Sequence, residues 1–135
     1  MTPSALLHPR PEGLYCPIGD FHVDPIRPVP RAVITHGHAD HARAGHGAVL
    51  ATRRTLDIME ARYGANFAET RQVADGAVDL SGVRVRLHPA GHVLGSAQVE
   101  VSHKGLTIVV TGDYKRGPDP ASAPYEPVPS NDQVT

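Results

Sequence analysis

A single cysteine, Cys16, among 135 residues excludes an internal disulfide. No apolar run approaches the roughly 20 residues needed to cross a bilayer, and Met1 to Pro11 lacks the apolar core of a signal peptide. No membrane partner is expected, and the expected location is cytoplasmic. A formal net charge of -1 excludes a global attraction to polyanions, so any nucleic-acid contact has to come from a local basic patch. Tryptophan is missing, whereas Gly and Pro number 13 each, a composition rich in turns. The length suits one domain, and 40% hydrophobic residues suffice for a soluble core.

What the chain does have is concentrated chemistry. Thr35 to His41 reads T-H-G-H-A-D-H and sets His36, His38, Asp40 and His41 within six residues. Neutral imidazole and carboxylate are the ligand types that suit zinc and similar divalent metals. His36 and His38 are two apart at the end of a short apolar strand, Ala32 to Thr35, so they point the same way and can grip one ion. Asp40 and His41 follow a turn loosened by Gly37 and are better placed for a second ion, so the spacing favours two metals.

Residues 1–12 read as an irregular, Pro-containing lead-in, 13–117 as the core, and 118–135 as a Pro-rich polar segment. Gly13 to Cys16 and Asp20 to Asp24 read as short strands, with Phe21 and Val23 on one face. Cys16 reads as a small strand residue. Asp24 has two open readings, a support for a metal-binding imidazole or a turn aspartate before Pro25. His46 reads as a loop histidine ahead of a strand, Ala48 to Ala51. Thr52 caps a helix through Tyr63 that buries Leu56, Met59 and Tyr63, solvates its charged residues and ends at Gly64. Residues 69–87 read as strands with turns at Asp75-Gly76 and Ser81-Gly82. In the last of these, Arg84 and Arg86 form a solubilising edge or, less simply, a phosphate contact.

A second informative stretch, His88 to Ala97, holds His92 between Gly91 and Gly95 in a loop that fits neither helix nor strand periodicity. A hairpin through Lys104-Gly105 follows, with Val99 and Val101 inward and His103 exposed beside the turn. Its second strand, Leu106 to Thr111, is apolar enough to be buried on both faces and delivers Asp113 from its end.

T-H-G-H-A-D-H-A, A-G-H-V-L-G-S-A and T-G-D-Y-K-R, in that order, resemble the metallo-β-lactamase superfamily, and Leu94 to Ala97 after the histidine resembles its nucleic-acid-processing β-CASP branch. Gly13 to Cys16, Asp20 to Pro25, Gly112 to Arg116 and Tyr125 to Val128 resemble the bacterial ligase-associated DNA exonucleases, also labelled mRNA 3′-end processing factors. The resemblance implies an α/β fold, a metallo-β-lactamase-type αββα sandwich present as its N-terminal part. It makes His36, His38 and His92 ligands of one zinc, gives Asp40 and His41 to the other, lets Asp113 bridge both and sets Asp24 behind the site. Family members are longer, adding a β-CASP cap with a general-acid histidine and one more ligand histidine, whereas here no histidine follows His103.

The implied activity is a metal-dependent nuclease, a DNA exonuclease of the ligase-associated type, using two divalent ions, Zn2+ with Mn2+ as the alternative. Asp40 would orient water and take its proton, and Gly95 and Ser96, with Lys115 and Arg116, would clamp phosphate. Lys115 and Arg116 read equally well as loop charges. The expected partners are nucleic acid, single-stranded DNA ahead of RNA, and a DNA ligase or helicase. The competing readings are a thioester or lactam hydrolase of the same superfamily and an inactive metal-binding fragment. From the strand pattern we expect one sheet with the helix on one face; the resemblance, in which a second facing sheet is completed by a C-terminal part, implies that the inner face is partly uncovered as Val- and Leu-rich surface.

Overall fold

Two short apolar runs, Ala32 to Ile34 and Val49 to Ala51, lack the alternation of a half-exposed strand and have to be covered on both faces. The computed structural model describes residues 2–36, 42–74, 76–89, 97–110 and 132–134 and builds outward from these runs. After one helical turn, α1 (Pro3–Leu6), come β1 (His8–Arg10), β2 (Gly13–Cys16), β3 (Phe21–Val23), β4 (Arg31–Val33) and β5 (His46–Ala51). Helix α2 (Arg53–Tyr63) then leads to β6 (Ala68–Val73), and the six strands lie in sequential order in one sheet. β1 to β3 are antiparallel, and β3 to β6 run parallel.

The chain next builds a second sheet from β7 (Ala77–Leu80), β8 (Val83–Pro89), β9 (Ala97–His103) and β10 (Leu106–Val110), all antiparallel neighbours. β11 (Asp132–Val134) adds to its far edge, parallel to β10. The sheets face each other. Cys16, Phe21, Val23, Val33 and Leu50 of the first pack with Val83, Val85, Val99, Val101, Ile108 and Val110 of the second in one buried cluster. On the other side of the first sheet, Ala32, Ile34, Val49 and Ala51 meet Leu56 and Met59 of α2, with Phe67. The layers are therefore helix, sheet, sheet, three of the four layers of an αββα sandwich.

Helix α2 keeps the bounds its sequence implies. Thr52 accepts the Thr55 amide at 3.3 Å, a cap that contributes about 1 kcal/mol. Gly64, at φ +91°, closes the helix by donating to Glu60 O at 2.8 Å. Tyr63 is more exposed than expected at 38%, although its hydroxyl donates to Ala42 O at 2.8 Å.

Five expectations are corrected. There are two sheets, not one: β6 pairs with β5 and β7 with β8, so β6 and β7 belong to different sheets and do not form a hairpin, and Asp75 itself lies outside the described residues. Consequently the inner face is not bare Val and Leu surface, since the second sheet covers it. What stays open is a groove of about 380 Å3 over β5 and β6, whose lining includes Arg31, Ala48, Leu50, Thr70, Gln72 and Leu80. Residues 2–12 are not irregular: they form α1 and β1, because Leu6 and Leu7 need burial and an edge strand tolerates Pro9. His46 is not a loop histidine. It opens β5, is buried, and accepts the Val29 amide on Nδ1 at 3.2 Å. Arg84 and Arg86 are exposed as expected but lie on an internal strand, outside the two edges of their sheet.

Candidate metal centre

Of the expected ligands, His36 falls in the described part; His38, Asp40, His41, His92 and Asp113 lie outside the described residues, as do Gly95, Ser96, Lys115 and Arg116. Among the described residues no cluster of three or more His, Cys, Asp or Glu is assembled. What can be read is how the fold delivers the chain to and from those stretches.

β4 ends in a buried Thr35 and a fully buried His36. Ile34 donates to Leu50 O at 3.0 Å, which keeps the chain bound to β5 beyond the strand's formal end. Asp24 then takes over: Oδ1 accepts the Thr35 amide at 2.8 Å and Oδ2 accepts the Thr35 hydroxyl at 2.6 Å. The same Thr35 Oγ1 lies 2.8 Å from His36 Nδ1. Asp24 donates its own amide to Val33 O at 2.9 Å and sits at φ +48°, a left-handed conformation that aspartate tolerates better than most side chains. The Asp24 carboxylate is thus bound to the residue that precedes His36. Residue 42, where description resumes, is fixed as well, for Ala42 is fully buried and its carbonyl accepts from Tyr63.

The second sheet meets the first at this same end. Ala97, which opens β9, donates its amide to Thr35 O at 2.8 Å. Pro89, which closes β8, is registered opposite Ala97, so the stretch carrying His92 leaves and returns beside His36. Val110, which closes β10, is registered opposite Val99, so the strand leading towards Asp113 ends at the same rim. Carboxyl ends of parallel strands are the usual ligand-binding edge of such sheets. The setting of His36 itself fits that of a metal-binding imidazole: it is buried, and one ring nitrogen is tied to a hydroxyl backed by a carboxylate, the kind of support such imidazoles use. Thr35 was given no role by the sequence reading. A hydroxyl directly before a strand-end histidine is the signal that could have flagged it.

Away from this rim, burial dominates the titrating groups. It pushes the Cys16 thiol up and the His46 imidazole down, and His22 is lowered by burial against the opposing pull of Glu12. Tyr15 is raised chiefly by donating to Asp20 at 2.8 Å.

No family model matches the chain. A probable DNA ligase of Opitutus terrae is 33% identical over 125 residues, which covers 84% of this chain and 12% of the relative. Endoribonuclease YSH1 of Saccharomyces cerevisiae is 41% identical over 56 residues, 40% of this chain and 7% of that protein. A solved protein of unknown function from Enterococcus faecalis superposes with a TM-score of 0.50 at 18% identity, over 64% of this chain and 25% of its own. The chain thus spans a small part of the length of these relatives. Motifs, relatives and layering agree on the class: the chain is similar to the β-CASP branch of the metallo-β-lactamase superfamily. A relative matched along most of the chain carries the DNA ligase name.

Proposed function

We propose that this chain is the metal-binding part of a nuclease that hydrolyses phosphodiester bonds, a DNA exonuclease of the ligase-associated type preferring single-stranded DNA. The observation that supports it best is the Ala97 amide bonded to Thr35 O, with the Pro89 to Ala97 and Val99 to Val110 registers. Together these direct three separate motif-bearing stretches to one rim. The relatives named as a DNA ligase and an endoribonuclease support a nucleic-acid partner.

In this reading His36, His38 and His92 would hold one ion and Asp40 and His41 the other, with Asp113 shared between them. Two divalent ions, Zn2+ or with Mn2+ at the carboxylate-rich position, supply an acidified water and neutralise phosphodiester charge when bound. Asp40 orients the attacking water and accepts its proton. Backbone N–H groups at Gly95 and Ser96, with the Lys115 and Arg116 cations, hold the phosphate oxygens.

The test has two parts. The dialysed chain retains at least one equivalent of divalent metal by elemental analysis, and the double change His36→Ala with His38→Ala removes it; unchanged metal content refutes the centre. In a version extended to carry a cap and a further ligand histidine, end-labelled single-stranded DNA is degraded and Asp40→Ala abolishes this. Turnover of a thioester or a lactam with no cleavage of DNA would replace the nuclease reading by that of a small-molecule hydrolase.

A further inference from the structure

We infer that Thr35 is a positioning residue that selects the tautomer of His36, an inference resting on the metal-centre reading just proposed. The Thr35 hydroxyl carries one proton. Its oxygen lies 2.6 Å from Asp24 Oδ2, and a carboxylate can only accept, so the proton points there. That oxygen also lies 2.8 Å from His36 Nδ1. With its own proton committed, the hydroxyl can only accept, and Nδ1 therefore carries the ring hydrogen. A neutral imidazole protonated on Nδ1 keeps its lone pair on Nε2, and that lone pair is what a divalent cation takes.

Metal-binding histidines commonly donate their second ring N–H directly to a carboxylate or a carbonyl. Here a hydroxyl is inserted as a relay: carboxylate, hydroxyl, imidazole. Its direction is set at the far end. Asp24 Oδ1 is occupied by the Thr35 amide at 2.8 Å, which requires an oxygen at that position and leaves Oδ2 for the hydroxyl. Thr35 is 1% exposed, so solvent has little access to compete for the proton.

Two substitutions break the relay at different links. Thr35→Val keeps the side-chain shape and the backbone amide bond to Asp24 but has no hydroxyl. In Asp24→Asn the amide oxygen is held by the Thr35 amide, which turns the NH2 group towards Oγ1; the hydroxyl then accepts from Asn and donates to the ring. Thr35→Ser keeps the relay and serves as the rescue.

The measurement is the 15N shift pattern of His36 in metal-free protein, read by long-range proton–nitrogen correlation, with amide dispersion as the folding control. The wild type and Thr35→Ser show the Nδ1–H form, whereas Thr35→Val and Asp24→Asn revert to Nε2–H. Zn2+ affinity, from competition with a chromophoric chelator, falls roughly 10- to 100-fold in Thr35→Val and is retained in Thr35→Ser. A folded Thr35→Val or Asp24→Asn that keeps Nδ1–H, or a folded Thr35→Val that binds Zn2+ as the wild type does, overturns the inference. Equal Zn2+ binding by the wild type and His36→Ala would overturn the metal reading instead, and the tautomer pattern would still decide the role of Thr35.

Discussion

The two ends of this sandwich are closed by different means. At the end where β4 begins, Arg31 donates to Gly19 O, to Asp20 O at 3.2 Å and to Ser81 Oγ at 3.0 Å, tying the first sheet to the β7–β8 turn of the second. The turns there are two-residue loops with positive φ at both positions, Ser81 (+54°) with Gly82 (+89°) and Lys104 (+47°) with Gly105 (+82°). Such turns suit the twist of the strands they join. At the other end, among the described residues, a backbone bond from Ala97 to Thr35 joins the sheets, and a carboxylate is committed to the residue before His36. One end spends its polar groups on short, local closure. The other sets a partly buried carboxylate against the residue before His36, and the connections around it are longer, which is where a site can be built.

The difference can be broken at will. The largest effect belongs to Asp24→Ala, which removes two bonds to a charged acceptor and strands the Thr35 amide: we expect a loss of about 3 kcal/mol in urea unfolding, with metal retention lost too. Arg31→Ala at the opposite end should cost less, about 1 to 2 kcal/mol, because its groups lie nearer water, and it should leave metal content unchanged. If Arg31→Ala also emptied the metal site, the two ends would not be independent. Gly82→Ala and Gly105→Ala should each cost about 1 kcal/mol from backbone strain alone, since an added Cβ at either position meets nothing within 4 Å.

The smallest effect is a pH dependence that belongs to neither end. His46 and His22 both titrate below the ordinary histidine value because burial disfavours their charged forms. The folded chain therefore binds fewer protons than the unfolded one as pH falls through about 6.5, so stability is full above that value and declines below it. Unfolding midpoints from pH 8 to 5 should show this fall. His46→Gln, which can still accept the Val29 amide, should flatten part of it.

Local chemistry was legible before any coordinates. Thr52 and Gly64 bound α2, Ser81-Gly82 and Lys104-Gly105 turn hairpins, and Val99 and Val101 face inward, because each depends on a residue's own conformational preference or on strand alternation. The T-H-G-H-A-D-H run carries an expectation of metal ligands from residue type and spacing alone, and only Thr35 and His36 of it lie within the described residues. Pairing between distant segments was not legible. Nothing local distinguishes a turn that folds a strand back from one that carries the chain to another sheet, so Asp75-Gly76 was misread and one sheet was expected for two. His46 looked like a loop residue since its partner, the Val29 amide, is 17 positions away. Asp24 had an even choice of roles for the same reason: it meets Thr35 only once β3 and β4 lie side by side. Sequence by itself determined which residues can bind, cap and turn. Tertiary structure decided which of them meet, because contact across sheets depends on burying both faces of the first sheet at once, a constraint that no short window of sequence contains.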